Sequence, residues 1–317
     1  MKNNFAIVTD SGANLTDGLI DRYELEVLSL VYIVDGAEMP GYVKGEKTDL
    51  KHYYDLMRKK IAMSTSCVNK GDCEKLFEQL LGEGRDVLYI GFSSGLSATY
   101  QVAAEVLTGM KEKYPDRKIF SVDSLSASLG EGRLVTFAAE MREDGHDIEN
   151  VRNWVEANKL KLCHLFTVET LSYLYRGGRV AKSAYMLAGA LNIKPIMHVD
   201  DNGKLTSISK AIGRKGSISA LATKTANSIV NPEIQTIYIS HGDCIEDVDY
   251  FIEKLKEKIC VKEIVVNYVD LVVGAHSGPG TLAVFFMGES RSRVVAESQT
   301  VTRPELVRAM KTSKAGE

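Results

Sequence analysis

Hydroxyl side chains and glycines gather in a few short segments of this chain. They are Thr9-Asp10-Ser11-Gly12, Ser64-Thr65-Ser66, Ser93-Ser94-Gly95, Asp123-Ser124, Ser240-His241-Gly242-Asp243 and the run Gly274-Ala275-His276-Ser277-Gly278-Pro279-Gly280. Hydroxyls and helix N-terminal amides donate hydrogen bonds without adding a competing negative charge, so together they suit an anion. Any one of these Ser or Thr residues reads equally well as a helix cap. The set as a whole points to a binding site. His276 sits in a Gly/Pro-rich segment, expected to be a loop, with no periodic apolar face to account for it, which argues for function. Arg179 follows Gly177-Gly178, where a flexible backbone can aim a guanidinium at a carboxylate or phosphate. A helix C-cap at Gly177 with Arg176 and Arg179 solvated is an equal alternative.

Covalent chemistry has one candidate. Gly91-Phe92-Ser93-Ser94-Gly95 matches the GxSxG nucleophile elbow between an expected strand and helix, and Asp243 or Asp270 and then His276 follow in hydrolase order. The pattern is short, and such turns match by chance. Other motifs fail on spacing. Gly41–Thr48 is no phosphate loop, and Gly130-Glu131-Gly132 lacks the third glycine of a dinucleotide fingerprint. The histidines never pair at metal-ligand spacing, so neither a metal nor another cofactor is expected; His164 and His198 read as structural residues near strands. Lys210, Arg214 and Lys215 form a local basic patch that reads as a solvated face. The five cysteines are odd in number and lack a CxxC pair, so all are expected to be free thiols.

Alternating strands and helices must position these residues. Phe5–Val8, Val27–Val34, Asp86–Gly91 and Lys118–Val122 read as buried strands, and helices are expected over 49–61 behind Thr48, 72–81, to about Lys113, and 126–142. Single helices between short apolar strands make a parallel, doubly wound sheet. Past the helix Ile148–Asn158 the character changes. Pro195–Val199 and Leu205–Ile212 flank Asp201-Asn202-Gly203, a hairpin signal, and a hairpin within a βα series implies a mixed sheet. The fold class is therefore α/β: a Rossmann-like domain over 1–156, a mixed-sheet domain over 157–288, and a polar extension over 289–317 with a short helix after Pro304. In open α/β sheets ligands bind beyond the strands' carboxyl ends, where the hydroxyl segments fall. A length of 317 residues supports two domains, and 44% apolar content can bury a full core. A net charge of −3 offers no basic field for nucleic acid or anionic lipid. The longest apolar runs are far shorter than a membrane span, and the first residues lack a signal-peptide pattern, so a soluble, cytoplasmic protein without stable membrane insertion is expected.

Together the motifs resemble the DegV family of bacterial fatty-acid-binding proteins, which includes the acyl-carrying subunits of fatty acid kinase. The resemblance covers about residues 5–288. It rests on Ile7–Ser11, Thr65-Ser66, Ser93–Gln101, Asp123-Ser124, Tyr175–Val180, Lys194-Pro195, Gly213-Arg214-Lys215 and His276–Thr281, in that order. It implies a long-chain fatty acid such as palmitate bound between the two domains. The acyl carboxylate would rest on Thr65, Ser66, Ser93, Ser94 and His276, with Arg179 as a charged partner. Arg214 would help a fatty acid kinase dock or steady the phosphate. The family's loop continues after Thr-Ser with any residue and then Pro-Ser, whereas here it reads Cys67-Val68-Asn69. Ala98 likewise replaces a glycine. On this resemblance Ser93 donates a hydrogen bond and does not attack, the protein is a carrier with no catalytic residue, and no cofactor is implied. The serine hydrolase built on Ser93 and His276 is the alternative, and a carrier of another amphipathic acid is a third.

Overall fold

The computed structural model of the protein describes residues 5–187 and 192–300. The first strands are β1 (Phe5–Asp10), β2 (Glu26–Leu28), β3 (Val31–Val34), β4 (Ala37–Pro40), β5 (Met63–Ser66), β6 (Asp86–Gly91) and β7 (Ile119–Asp123). A parallel sheet has the order β2-β1-β6-β7, and a small antiparallel sheet has the order β4-β3-β5. Period-2 alternation sorts the parallel sheet's two faces. Ala6, Val8, Val87 and Tyr89 face the helices Lys70–Gly82 and Thr99–Lys113. Phe5, Ile7, Leu88 and Ile90 face Leu129–Glu143 and Ile148–Asn158.

The remaining strands are β8 (Leu162–Thr167), β9 (Ile193–Val199), β10 (Leu205–Ile212), β11 (Thr236–His241), β12 (Glu263–Tyr268) and β13 (Leu282–Met287). They form a mixed sheet ordered β10-β9-β8-β13-β11-β12, in which only β11 and β12 run parallel. Leu165, Ile239, Val284 and Phe286 pack on one face against the helices Arg214–Ser228 and Ile245–Lys256. Phe166, Met197, Ala283 and Phe285 point the other way, toward Leu129 of the first half. The α/β class with one parallel and one mixed sheet is thus as expected.

Several local expectations are corrected. Val27–Val34 is not one strand, because the chain leaves the parallel sheet at Ser29-Leu30 and enters the small one. Ser64-Thr65-Ser66 is not a loop but β5, paired with β3. The helix after it starts at Lys70 under an Asn69 cap, and the helix Leu50–Arg58 is capped by Asp49 rather than Thr48. His276 lies in the last turn of a helix, Leu271–Ser277, capped by Asp270, and not in a loop.

The stretch from Glu289 is more than a polar tail. It forms the helix Arg291–Thr300, and the short helix expected after Pro304 lies outside the described residues. Arg291 is only 1% exposed. Its guanidinium donates to the carbonyls of Leu162, Leu125, Asp200 and Lys159 and to Ser126 Oγ, at 2.7–3.1 Å. Burial lowers its pKa to about 10, so it still carries its charge at neutral pH. Replacing Arg291 by Met would strand these buried acceptors, and several unmet acceptors should cost at least ~3 kcal/mol in urea unfolding. An unfolding midpoint equal to wild type would show that the knot is dispensable.

Candidate functional site

An apolar cavity of about 350 Å³ opens between the two larger sheets. Its walls include Phe92 and Leu96 from the first half and Phe166, Leu205, Ala283 and Phe285 from the second. Polar groups enter at a few points. Thr65 and Ser66 come from β5, Ser97 from the turn before the helix Thr99–Lys113, Arg179 from beyond Gly177-Gly178, and His276 and Ser277 from the end of their helix.

Thr65 Oγ1 and His276 Nε2 are hydrogen-bonded at 2.7 Å. His276 Nδ1 is buried without a partner, as is Ser277 Oγ. The imidazole lies on the Gly177 backbone, where a Cβ would stand 2.2 Å from Nδ1. Gly177 is therefore both the helix C-cap expected and the floor beneath the histidine. Burial, with the Arg179 charge adding to it, lowers the His276 pKa to about 4. The ring is neutral at pH 7. Arg179 is half-buried; its Nε donates to the Leu96 carbonyl at 3.1 Å and its Nη1 to the Gly177 carbonyl. Desolvation lowers its pKa, and no carboxylate pairs with it among the described residues. Ala98, the N-cap of the helix Thr99–Lys113, lines the cavity and brings no side-chain cap. The cluster is a cation and donors beside apolar walls, a complement for the head of an amphipathic anion.

Four of the sequence candidates therefore share the cavity wall: Thr65, Ser66, Arg179 and His276. Three others do not reach it. Ser93 is fully buried and donates from Oγ to the Gly203 carbonyl at 2.8 Å, which ties the turn after β6 to the β9–β10 hairpin. Ser94 is held through its backbone amide by Asp123 Oδ1 at 3.2 Å. Arg214 pairs with Asp247 (2.8 Å) and donates to the Gly280 carbonyl (2.6 Å), so it supports the turn behind His276. Two wall residues escaped the sequence reading. Ser97 stands in the very segment that was singled out for Ser93, one residue before the helix N-cap. His164 reads in the sequence as a structural strand residue, and no sequence signal marks it as lining a cavity.

The hydrolase constellation is not assembled. Ser93 Oγ is committed to a carbonyl, His276 to Thr65, Asp270 Oδ1 to the Val273 amide and Asp243 to Arg58. Burial raises Asp270 to about 7 and Asp10 to about 6, in the latter case against hydrogen bonds from Phe92, Tyr89 and Gly12. No group of His, Cys, Asp and Glu among the described residues could hold a metal ion.

A parallel sheet facing a mixed sheet across an apolar cavity with a donor-rich end defines an α/β ligand-binding protein. Residues 4–289 match the profile described as uncharacterised protein, DegV family. A DegV domain-containing protein of Clostridium perfringens is 42% identical over 287 residues, covering 90% of this chain and 98% of that protein. The chain belongs to the DegV family. Among solved structures, a DegV family protein of Thermus thermophilus described by its fatty acid binding superposes with TM-score 0.79 at 27% identity, over 90% of this chain and 99% of that one. The Streptococcus pneumoniae Fatty Acid Kinase (Fak) B3 protein, described as loaded with linoleic acid, superposes with TM-score 0.77 at 20% identity, over 90% and 100%. At that identity the second likeness bears on the fold alone.

The lowered His276 pKa sets a pH dependence. The folded imidazole stays neutral to about pH 4, whereas the unfolded one takes a proton near pH 6.5, so this group's contribution is full above 6.5 and is lost as pH falls toward 4. His276→Gln, which keeps a partner for Thr65, should lose roughly 1–3 kcal/mol less between those values in urea titrations than wild type does. Parallel pH profiles would refute the assignment.

Proposed function

We propose that the protein binds a long-chain fatty acid in this cavity, with the carboxylate held by Thr65, Ser66, His276 and Arg179. The observation that carries the reading is Arg179. It is a half-buried cation without a carboxylate partner among the described residues, beside the Thr65–His276 pair, on the wall of an apolar cavity. Transfer of about 14 methylenes of a C16 chain at ~0.8 kcal/mol each supplies on the order of 11 kcal/mol, before the losses of ordering. A carboxylate drawn toward that cavity has to be paired or hydrogen-bonded, or much of the gain is cancelled. Ser97, whose hydroxyl pairs with Thr99, and Ala98 at the helix N-terminus stand on the same cavity wall. The family match and the fatty acid described for the Thermus relative support the reading.

In this reading residues 1–156 and 157–288 are the two domains that form the cavity walls. The protein is a carrier without a catalytic residue of its own and works in the cytoplasm. It presents the carboxylate to a fatty acid kinase that makes the acyl phosphate, a role supported by the Fak B3 protein's shared fold. Arg214, set behind the His276 turn, supports that turn and so the presenting edge. Ser93 and Ser94 act through the shape of their turn and not as ligands.

Native mass spectrometry of the purified protein should find a bound acid in the C14–C20 range, and protein that neither carries nor takes up any such acid would sink the proposal. Thr65→Ala and Arg179→Ala should each weaken binding by roughly tenfold or more, since hydrogen bonds to charged groups contribute ~1.5–3 kcal/mol. Ser93→Ala should lower the unfolding midpoint more than the affinity. A fluorophosphonate should leave Ser93 unlabelled in folded protein; labelling would revive the hydrolase.

A further inference from the structure

Both nitrogens of the His276 ring have fixed surroundings. Nε2 lies 2.7 Å from Thr65 Oγ1. Nδ1 is buried on Gly177, without a hydrogen-bond partner. The amides around it are spent within the helix end: Gly177 N donates to the Tyr173 carbonyl, Gly178 N to Tyr175 and Arg179 N to Leu174. The Gly177 carbonyl is taken as well, by Arg179 Nη1. The ring lines the cavity, yet one nitrogen is sealed from it and the other is committed to Thr65.

A hydroxyl and a neutral imidazole can share their bond in two ways. With the ring proton on Nδ1, Thr65 donates to Nε2 and keeps only lone pairs for a ligand, which repel a carboxylate. That tautomer also buries an N–H with no acceptor, and such orphans are rarer in proteins than unmet acceptors. With the proton on Nε2, the ring donates to Thr65 Oγ1 and the Thr65 proton is released for an incoming oxygen. Nδ1 then keeps a lone pair within the field of the Arg179 charge, which favours it over a proton there. The doubly protonated ring does not compete at pH 7, because burial keeps the imidazole neutral.

We propose that His276 is a positioning residue: it holds the Nε2–H tautomer, donates to Thr65, and so aims the Thr65 hydroxyl at the ligand carboxylate without touching that carboxylate itself. The inference rests on the fatty-acid reading above and assigns the direct contact to Thr65. Thr65 suits the task, since its branched side chain on the paired strand β5 has few rotamers. A hydroxyl that accepts from an N–H is polarised into a stronger donor. Arg179 gains a second part, because its charge helps to choose the tautomer.

The test is a double-mutant cycle, read by calorimetric titration of delipidated protein with palmitate or with the C14–C20 acid that copurifies. Thr65→Val and His276→Leu should each weaken binding about tenfold, and the double variant no more than the weaker single, since both act through one bond. A loss of about a hundredfold in the double variant, the product of the singles, means an independent contact from His276. That result overturns the inference and leaves the fatty-acid reading standing. His276→Gln, whose amide can donate to Thr65, should bind more tightly than His276→Leu; equal affinities count against the donor role. Nitrogen-15 NMR of histidine-labelled, acid-loaded protein, with the His276 signals found by their loss in His276→Gln, should place the proton on Nε2. A proton on Nδ1 overturns the inference even if the leucine variants fail to fold. Wild type that binds no C14–C20 acid removes the fatty-acid reading and this inference with it.

Discussion

A half-buried guanidinium with no carboxylate to neutralise it among the described residues is the constraint around which the proposed site is arranged. Arg179 has lost part of its hydration and recovers only neutral carbonyls, those of Leu96 and Gly177. A cation in that position favours an incoming anion over water, because the anion restores what desolvation removed. His276 completes the arrangement by staying neutral. A protonated imidazole beside Arg179 would add like-charge repulsion; a neutral one adds hydrogen-bonding capacity at no electrostatic cost. Burial, which pushes the His276 pKa down to about 4, therefore keeps the site's charge at a single cation.

Such a cavity lasts only if its walls cannot collapse onto each other, and polar contacts across the two halves hold them apart. Asn14 donates to the Tyr268 carbonyl at 2.5 Å and accepts from the Asp270 amide at 2.6 Å, at the base of the helix that carries His276. Tyr54 donates to the Val269 carbonyl at 2.9 Å, and Tyr173 to the Met57 carbonyl at 2.8 Å. Ser93 fastens the far side to the β9–β10 hairpin. Arg291 gathers carbonyls from separate segments into one knot beneath the same hairpin. Each bond has a fixed length and direction, unlike apolar contact, so together they set the spacing of the walls.

The turn behind His276 shows how tightly that spacing is held. Gly278 and Gly280 both have φ near +80°, and a Cβ on Gly278 would stand 2.3 Å from the Tyr173 ring. Glycine permits both the backbone conformation and the close approach. Arg214, paired with Asp247, reaches the Gly280 carbonyl from the other side. The basic residue thus shapes the site without touching the cavity.

The linear pattern of residues was enough for the α/β class with one parallel and one mixed sheet, and it singled out four residues that share the cavity wall. Apolar runs of four to six residues separated by helical periods dictate βαβ units, and Asn202-Gly203 dictates the hairpin, because both signals are local. Arg179 and His276 stand out for a related reason, since a guanidinium or an imidazole among glycines has no local structural duty, whereas Thr65 and Ser66 stand out as a cluster of hydroxyls. Ser93 and Ser97 read alike in the sequence, since both follow β6, and only the approach of Gly203 from a distant hairpin ties Ser93 into the fold while Ser97, paired locally with Thr99, stays on the cavity wall. His164 was illegible for the same reason. On an alternating strand it reads as core, and whether its ring meets packed carbon or open space depends on Gly130 and Phe285, more than thirty and more than a hundred residues away. Local spacing determines which elements form. Which of their side chains remain unpaired is settled by long-range packing, because a hydrogen bond already made inside the fold is not available to a ligand.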